Sequence, residues 1–261
     1  MVENPGNHVA TLKWAGSASL SQSVWAQPDP RAAKFVFAVV RNYAFAELTR
    51  RLGAVRFIQV GANDGVRNDP LREFVLSGAW TGLLVEPGAD QNARLRAAYA
   101  DVPGATVVGV AIWSESGRRP FYIVEGADAL SSFSLETILR HEPKYDDLRG
   151  MIRTVEVDTL TLDALADRYG VPNPEVVVVD AEGCDDVVLG SFDIEARRPK
   201  LILFEHVHLS LAASTALRDR LVAAGYACIA DRHDVLAIGD GVFPPHLTAM
   251  LSDVVREARN N

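Results

Sequence analysis

The sequence predicts a doubly wound α/β fold, in which helices cover both faces of a mostly parallel, seven-stranded sheet. Three observations predict it: short apolar runs alternate with helix-length stretches, one run contains four consecutive valines, and two final runs flank a tight polar segment. The chain has 261 residues, of which 48% are hydrophobic, and this is enough for one such domain with added helices.

Five apolar runs of strand length are separated by stretches long enough for a crossover helix, which predicts parallel strands. They are residues 57–60, 82–85, 105–112, 175–179 and 200–204. The four valines, Val176–Val179, are typical of a strand buried on both faces, so we expect them in the middle of the sheet. Residues 226–230 and 235–238 flank the polar segment 231–234, which predicts a terminal antiparallel hairpin.

One helix is predicted before this core in the sequence and another after it. Asp29 and Pro30 suit a helix cap and a first turn, and Gly53 ends a segment whose apolar residues have helical spacing. These residues are Phe35, Val36, Val39, Tyr43, Ala46 and Leu48. The apolar residues of the C-terminal segment have the same spacing and are Leu247, Met250, Leu251, Val254 and Val255. Both helices can pack on the core or on a second copy, so we expect a monomer or a homodimer.

We divide the chain into an N-terminal extension with a helix, residues 1–55, one domain over residues 56–240, and a C-terminal helix in residues 241–261. Residues 113–157 exceed a simple crossover between parallel strands, so we interpret them as an insertion that faces the substrate. The serine pair 131–132 within it is a candidate for substrate binding, although serines in a loop commonly serve the turn itself.

Composition excludes several classes of partner. The formal net charge is -8 and no cluster of Lys and Arg is present, so the phosphate backbone of a nucleic acid is repelled on average. No apolar stretch has the length of a membrane span, and the N-terminus lacks the basic start and apolar middle of a signal peptide. The chain has only two cysteines, which suits a reducing compartment. We expect a cytoplasmic protein that binds neither nucleic acid nor membrane.

The ends of the first two strands predict a nucleoside-binding site. Small and polar residues follow the first strand: Gly61, Ala62, Asn63 and Gly65. Glycine allows a sharp bend and the close approach of a ligand. The second strand ends at Glu86 and Pro87, which places a carboxylate where it can accept hydrogen bonds from both hydroxyls of a ribose. The glycines alone are explained by a tight turn, and Glu86 alone by a solvated acid. Their occurrence in this order, after the first and the second strand, favours a site that binds a nucleoside.

The same turn favours S-adenosylmethionine over a dinucleotide. Asn63 occupies the middle position of the Gly-x-Gly-x-x-Gly phosphate fingerprint and no third glycine follows, so a pyrophosphate fits poorly. S-adenosylmethionine has no phosphate, and the polar Asn63 and Asp64 can bind its amino acid end. An NAD-dependent oxidoreductase is the alternative, because it shares the early glycine turn and the acid after the second strand.

These and later motifs resemble the FkbM-type methyltransferases, class I enzymes that methylate hydroxyl groups of sugars, polyketides and related metabolites. The matching stretches, within a span of roughly 56–240, are residues 57–65, 84–87, 155–160, 179–183, 203–205 and 225–226. The most specific are Gly-Ala-Asn at 61–63 and Asp-Ala-Glu-Gly at 180–183. Gln59 departs from the family, which usually has an acidic residue there to support the amino group of the cofactor.

The resemblance implies a class I methyltransferase of the EC 2.1.1 type that uses S-adenosylmethionine and releases S-adenosylhomocysteine. Its acceptor is expected to be a hydroxyl of a small molecule such as a sugar or a polyketide-type metabolite. We assign cofactor binding to Gly61, Ala62, Asn63, Gly65, Glu86, Pro87 and Asp180. Because Gln59 is not an acid, a methyltransferase-like module that binds a nucleoside or a partner protein without catalysis is a further alternative.

Methylation of a hydroxyl requires a general base near the acceptor oxygen. Asp180, Glu182 and His206 follow the fourth and fifth strands and are the candidate catalytic residues. Histidine titrates near neutrality, which favours His206, and His208 shares its face as a weaker candidate. The alternatives are structural: a helix cap for Asp180, an early helix turn for Glu182 and an ordinary structural contact for His206.

The same region offers hard ligands for a cation such as Mg²⁺. They are Asp180, Glu182, Asp185, Asp186, Glu205 and His206. Spacing does not establish an octahedral site, and the adjacent Asp185 and Asp186 are typical of a solvated helix start. A divalent metal is therefore not predicted.

Overall fold

The structure, a computed structural model, describes residues 30–260, with side chains described for residues 33–257. The strands are β1 (Val55–Val60), β2 (Trp80–Val85), β3 (Ala105–Val108), β4 (Ala111–Ile112), β5 (Gly117–Val124), β6 (Ile152–Leu160), β7 (Val176–Val179), β8 (Leu201–Glu205), β9 (Tyr226–Ala230) and β10 (Asp234–Gly239). The helices are α1 (Pro30–Leu52), α2 (Arg72–Leu76), α3 (Ala89–Ala98), α4 (Leu135–Leu139), α5 (Leu148–Met151), α6 (Leu162–Arg168), α7 (Asp185–Gly190), α8 (Ile194–Arg197), α9 (Leu211–Ala223) and α10 (Pro245–Asn260). The first 29 residues of the predicted extension, with the proposed cap Asp29, lie outside the described residues.

Seven strands form one sheet in the order β3-β2-β1-β7-β8-β10-β9. The first five are parallel to one another, whereas β10 runs antiparallel to both β8 and β9. The predicted doubly wound, mostly parallel sheet with a C-terminal hairpin is therefore confirmed. β7 is the central strand and all four of its valines are buried, as the continuous β-branched run predicted.

The strand order reverses between β1 and β7. From β1 the chain continues outward through β2 and β3, and it returns to the other side of β1 to form β7 and β8. Ligands bind in the crevice at such a reversal, beyond the carboxyl ends of the parallel strands. The ends of β1, β2, β7 and β8 carry the predicted cofactor and catalytic residues.

Helices cover both faces of the sheet, because alternate residues of each strand point to opposite faces. In β1, Phe57 packs with Phe45 and Trp80 on one face, while Ile58 packs into the apolar cluster on the other. All four side chains are completely buried, and each contributes roughly 1.5–3 kcal/mol when it leaves water. The two clusters fix the strand ends that surround the crevice.

The helices α1 and α10 confirm both predicted helices, and they pack against each other over one face of the sheet. The described buried residues of α1 are Ala33, Phe37, Val40, Ala44, Phe45 and Leu48. The predicted face was wrong in part, because Phe35, Val39 and Tyr43 are exposed. Apolar residues occur on more than one face of α1, so spacing alone did not select the face that meets the sheet. No helix among residues 30–260 is long and apolar enough to cross a membrane.

The third predicted run, residues 105–112, is two strands and not one. β3 ends at Val108, and β4 leaves the main sheet to pair with β6. β5 pairs antiparallel with β6, so β4, β6 and β5 form a second sheet. An apolar run indicates strand structure but not the partner strand, which is why the break at Gly109 and Val110 was not predicted.

Candidate active site

A cleft of about 560 Å³ opens beyond the carboxyl ends of β1, β2, β7 and β8. Its size lies within the range of ligand pockets, which is roughly 300–1,000 Å³. Seven predicted site residues line it: Gly61, Ala62, Asn63, Glu86, Pro87, Asp180 and Glu182. The predicted insertion also contributes to the lining, with Phe121, Asp128 and Phe133 among its residues. The fold thus brings the predicted cofactor residues, the acids after β7 and the insertion to one cavity.

The turn after β1 requires its two glycines for different reasons. Gly61 has a φ of +77°, and a Cβ there would lie 1.8 Å from the carbonyl oxygen of Asp180. Only glycine lets the ends of β1 and β7 approach this closely. Gly65 has a φ of +67°, and its missing Cβ makes room for Leu95 and Tyr99. Gly65 therefore packs beneath the turn and is not one of the residues that line the cleft.

The carboxylate of Glu86 joins the turns after β1 and β2. Its Oε1 accepts a hydrogen bond from the backbone N–H of Gly88 at 2.8 Å, and its Oε2 accepts one from the backbone N–H of Asn63 at 3.0 Å. Asn63 has a φ of +48°, a left-handed conformation that asparagine tolerates better than most residues. Each carboxylate oxygen has a second lone pair that is available to a ligand.

Burial raises the pKa of Glu86 to about 7, and the charges of Asp128 and Asp180 act in the same direction. The two backbone N–H groups oppose this rise in pKa without cancelling it. At neutral pH the free protein therefore contains both the protonated and the ionised form of Glu86. Hydroxyl groups that donate to the carboxylate favour the ionised form, so ligand binding and proton release are linked at this residue.

The segment after β7 exposes Asp180 to the cleft and then turns sharply. The backbone N–H of Asp180 donates to the carbonyl of Val60 at 3.0 Å, which extends the pairing of β1 and β7 to the edge of the cleft. Glu182 has a φ of +46° and Gly183 a φ of +92°, so two left-handed residues reverse the chain. The hydroxyl of Ser132 donates to the carbonyl of Glu182 at 2.8 Å. Ser132 is buried and holds this turn.

The acids around this turn raise one another's pKa. The side chain of Asp180 faces the cleft, where the surrounding protein limits its contact with water. This loss of hydration raises the pKa of Asp180 to about 6, and the charge of Asp234 contributes to the same shift. Burial also raises the pKa of Glu182, and the charges of Asp180 and Glu205 add to that shift. The pKa of Glu205 is raised by burial first and then by Asp180 and Asp234. The cleft therefore favours neutralisation of its acids by protons or by a cation.

The interpretation of Asp185 as part of a solvated helix start is wrong, because this side chain is completely buried. Its carboxylate accepts hydrogen bonds from the backbone N–H groups of Ala181 at 3.3 Å and Glu205 at 3.1 Å. These bonds tie the segment after β7 to the end of β8. Burial, followed by the charges of Asp180 and Glu205, raises the pKa of Asp185 well above its usual value.

His206 lies away from the acids. Its Nδ1 is 3.3 Å from the hydroxyl of Ser214 in α9, and its Nε2 is 3.2 Å from the carbonyl oxygen of Asp231 in the hairpin turn. The ring is not among the groups that line the cleft. The structure therefore places His206 between α9 and the hairpin, in the surroundings of a structural residue.

His208, the weaker candidate from the sequence, lies beside the acids instead. Its Nε2 is 3.5 Å from Oε2 of Glu182 and 3.6 Å from Oε2 of Glu205. Burial lowers the pKa of His208, and the charges of His141 and Arg140 act in the same direction. Both effects favour the uncharged form of the imidazole of His208.

Two cationic residues of α1 line the cleft, and sequence reasoning missed both. The residues of α1 that line the cleft are Lys34, Ala38 and Arg41. Their i, i+4, i+7 spacing in the sequence indicates that they lie on one face of the helix. Burial lowers the pKa of Arg41, although the charges of Asp234 and Asp69 oppose the shift. The helix therefore brings positive charge to a cavity that is rich in acids.

Gln59 stands where the FkbM-type family usually has an acidic residue, and its side chain binds a nearby acid, Asp69. Its Nε2 donates to Oδ1 of Asp69 at 3.2 Å, and the hydroxyl of Tyr99 donates to Oδ2 of Asp69 at 2.8 Å. Both Gln59 and Asp69 line the cleft. Oε1 of Gln59 is buried and has no hydrogen-bond partner among the described residues. A buried acceptor without a partner, close to a carboxylate, suits a ligand that carries an ammonium group.

Residues 59–228, well over half of the chain, match the family described as Methyltransferase FkbM domain. Among solved structures, the methyltransferase FkbM from Methylobacillus flagellatus is 15% identical with a TM-score of 0.48. The match covers 79% of this chain and 58% of that chain, so this chain spans less than two-thirds of its length. An O-methyltransferase from Bacillus cereus in complex with SAH is 10% identical with a TM-score of 0.37, and 82% and 83% of the two chains are covered. No curated protein matches the chain.

Proposed function

Because the chain belongs to the methyltransferase FkbM domain family, we propose that it is an S-adenosylmethionine-dependent O-methyltransferase that acts on a hydroxyl of a small molecule such as a sugar or a polyketide-type metabolite. One observation carries the proposal. Glu86 and Asp180, at the ends of β2 and β7, line one cleft and lie close enough for the charge of Asp180 to raise the pKa of Glu86. We assign the binding of the ribose to Glu86 and the acceptance of the proton to Asp180.

Three features of the cleft fit S-adenosylmethionine. Glu86 has free lone pairs for the two ribose hydroxyls, as expected of an acid that ends the second strand. Gly61 lines the cleft, and its missing Cβ lets the end of β1 lie directly against Asp180 at the cleft edge. The unpartnered Oε1 of Gln59 and the neighbouring carboxylate of Asp69 can accept hydrogen bonds from the ammonium group of the cofactor.

Asp180 is the residue that we propose as the general base. When bound, S-adenosylmethionine supplies an electrophilic methyl group, whose bond to sulfur breaks with both electrons left on sulfur as the acceptor oxygen attacks the carbon. Asp180 accepts the proton that the acceptor hydroxyl loses, and it later releases this proton to solvent. Its raised pKa of about 6 leaves it ionised at neutral pH and makes it a stronger base than an ordinary aspartate.

The raised pKa of Glu86 predicts that cofactor affinity depends on pH. Ribose hydroxyls bind the ionised carboxylate better, and in the free protein this form increases as the pH passes through about 7. We expect the affinity for S-adenosylhomocysteine, measured by calorimetry, to rise about tenfold from pH 6 to pH 8 and to level off above that. Glu86→Gln is the control, since it cannot titrate and should remove most of this dependence. An affinity that is the same at pH 6 and pH 8 would contradict the assignment.

Two measurements test the proposed function. The purified chain is titrated with S-adenosylhomocysteine and, in parallel, with NAD, and we expect only the first to bind. It is then incubated with S-adenosylmethionine and a panel of sugars and phenolic or polyketide-type alcohols, with matched amines in place of the alcohols as controls. A methyl ether detected by mass spectrometry supports the proposal. Methylation of the amines alone overturns the oxygen specificity, and binding of NAD overturns the methyltransferase assignment.

The alternative of a module without catalysis makes a different prediction. It requires cofactor binding with no methyl transfer to any acceptor, even after long incubation. The acids Asp180, Glu182 and Glu205 count against it, because holding three carboxylates in one cleft lowers stability unless ligands or chemistry use them.

A further inference from the structure

Three side chains converge at the cleft: Glu182 from the turn after β7, Glu205 from the end of β8, and His208 from the segment that follows. One oxygen of each carboxylate and one nitrogen of the imidazole all lie within 4.8 Å of one another. Glu182 and Glu205 line the cleft, whereas His208 lies next to them outside its lining. We refer to these three residues as the Glu-Glu-His cluster.

The contacts within the Glu-Glu-His cluster do not satisfy its polar atoms. The distances from Nε2 of His208 to the two carboxylates, 3.5 and 3.6 Å, are longer than effective hydrogen bonds. Oε2 of Glu205 is buried and has no hydrogen-bond partner in the described part of the chain. A buried polar oxygen without a partner is unfavourable, so this atom is available to bind a further ligand.

No arginine or lysine among the described residues forms an ion pair with either carboxylate of the cluster. The side chains of Glu182, Glu205 and His208 are only 22%, 17% and 19% exposed, so water screens them poorly. The ring of His141 packs edge to face on the ring of His208, with centroids 5.4 Å apart, and holds it in place. Two carboxyl groups and an imidazole thus surround one point, and no lysine or arginine among the described residues pairs with the carboxyl groups.

The two distances from His208 are close to those between ligands of a shared ion. Oxygen and nitrogen ligands lie at about 2.1 Å from Zn²⁺ or a similar divalent ion, so two adjacent ligands around it are roughly 3.0–3.4 Å apart. The two distances from His208 exceed this range by a few tenths of an ångström, which a small movement of the side chains removes. An imidazole among the ligands favours a first-row transition ion such as Zn²⁺ or Mn²⁺ over Ca²⁺, which takes six to eight oxygens.

We propose that Glu182, Glu205 and His208 bind one divalent transition-metal ion, such as Zn²⁺ or Mn²⁺, at the cleft. Three protein ligands leave coordination positions open, and the two glutamates place the ion where the cleft gives access to it. This role rests on the proposed methyl transfer: an ion held by these residues would supply a Lewis acid that lowers the pKa of the acceptor hydroxyl, and Asp180 would accept the proton. The metal site itself does not depend on that activity.

The test measures metal binding directly. The chain is stripped with a chelator, dialysed and titrated by calorimetry with ZnCl₂ and with MnCl₂, and bound Mn²⁺ is counted by electron paramagnetic resonance. We expect one ion per chain. Glu205→Gln and His208→Gln should each weaken binding by at least about 10- to 100-fold, because even groups that only orient metal ligands contribute that much. His206→Gln is the matched control, since this histidine is two residues away and its ring contacts Ser214 and Asp231 instead.

Each outcome decides the proposal. Binding that is lost in His208→Gln and kept in His206→Gln supports it. The absence of binding to the unaltered chain at millimolar metal overturns it, as does an equal loss in both histidine variants. Titration of the same samples with S-adenosylhomocysteine shows whether the variants keep their fold. It also separates the two proposals, because cofactor binding without metal binding rejects the metal site and leaves the methyltransferase function standing.

Discussion

Replacing Glu86 with alanine is expected to weaken the binding of S-adenosylhomocysteine by about 100- to 10,000-fold. The substitution removes the acceptor of two ribose hydroxyls, and a hydrogen bond to a charged group contributes about 1.5–3 kcal/mol, so two contribute about 3–6 kcal/mol. It also leaves the backbone N–H groups of Asn63 and Gly88 without their shared partner, which loosens both turns. Calorimetric titration of the variant and the unaltered chain measures the change.

The matched control for Glu86→Ala is Asp90→Ala. Asp90 is an exposed acid in the first turn of α3, four residues further on, so its removal changes the net charge equally without touching the cleft. We expect its affinity to remain within twofold of the original value. An unchanged affinity in Glu86→Ala, with the thermal unfolding curve preserved, would show that the ribose binds elsewhere and would reject the nucleoside site as we have assigned it.

Asp180→Asn is expected to lower kcat by about 100- to 10,000-fold while the affinity for S-adenosylhomocysteine changes by no more than a few-fold. Asparagine keeps the shape and the backbone hydrogen bond to Val60, but its amide cannot accept a proton. In the unaltered chain kcat should rise with pH through about 6, as Asp180 ionises, and this limb should disappear in the variant. Single-turnover rates over a pH series measure both effects.

The control for Asp180→Asn is Asp186→Asn, which removes the same charge from a partly exposed acid in the first turn of α7. We expect kcat in this variant to stay within a few-fold. Equal losses of kcat and of cofactor affinity in Asp180→Asn would mean that Asp180 binds the cofactor and is not the base. Loss of the charge should also lower the pKa of Glu182 and Glu205, since the Asp180 charge raises both.

The order of apolar runs was sufficient to predict the main sheet. Val176–Val179 form the central strand and all four are buried, as expected of a continuous β-branched run that suits burial on both faces. The hairpin of β9 and β10 was also predictable, but its placement was not. β10 lies between β8 and β9, and this choice depends on long-range pairing that the polar turn does not encode.

The candidate site was predicted best where a residue ends a strand. Glu86 and Asp180 follow strands directly, so the sheet alone brings them to one edge. The two histidines show where this reasoning stops. If the strand continued, its alternation would put His206 and His208 on one face. The strand ends at Glu205, however, and in the turn that follows only His208 lies beside Glu182 and Glu205. Arg41 was unpredictable for a related reason, because the docking of α1 joins residues far apart in sequence.

The bond from Ser132 to the carbonyl of Glu182 has a consequence for how this enzyme can diversify. Residues of the insertion line the cleft, so exchanging residues 113–157 between relatives is the obvious way to alter acceptor preference. The exchange also removes the hydroxyl that supports a non-glycine residue at a φ of +46°, a conformation that costs about 1–2 kcal/mol. Chimaeras that keep a serine at position 132 should methylate new acceptors with little loss of kcat. Chimaeras without this serine should bind the acceptor but have a lower kcat. Under the proposed function, a change in the insertion therefore affects both the choice of acceptor and the geometry of the turn after β7.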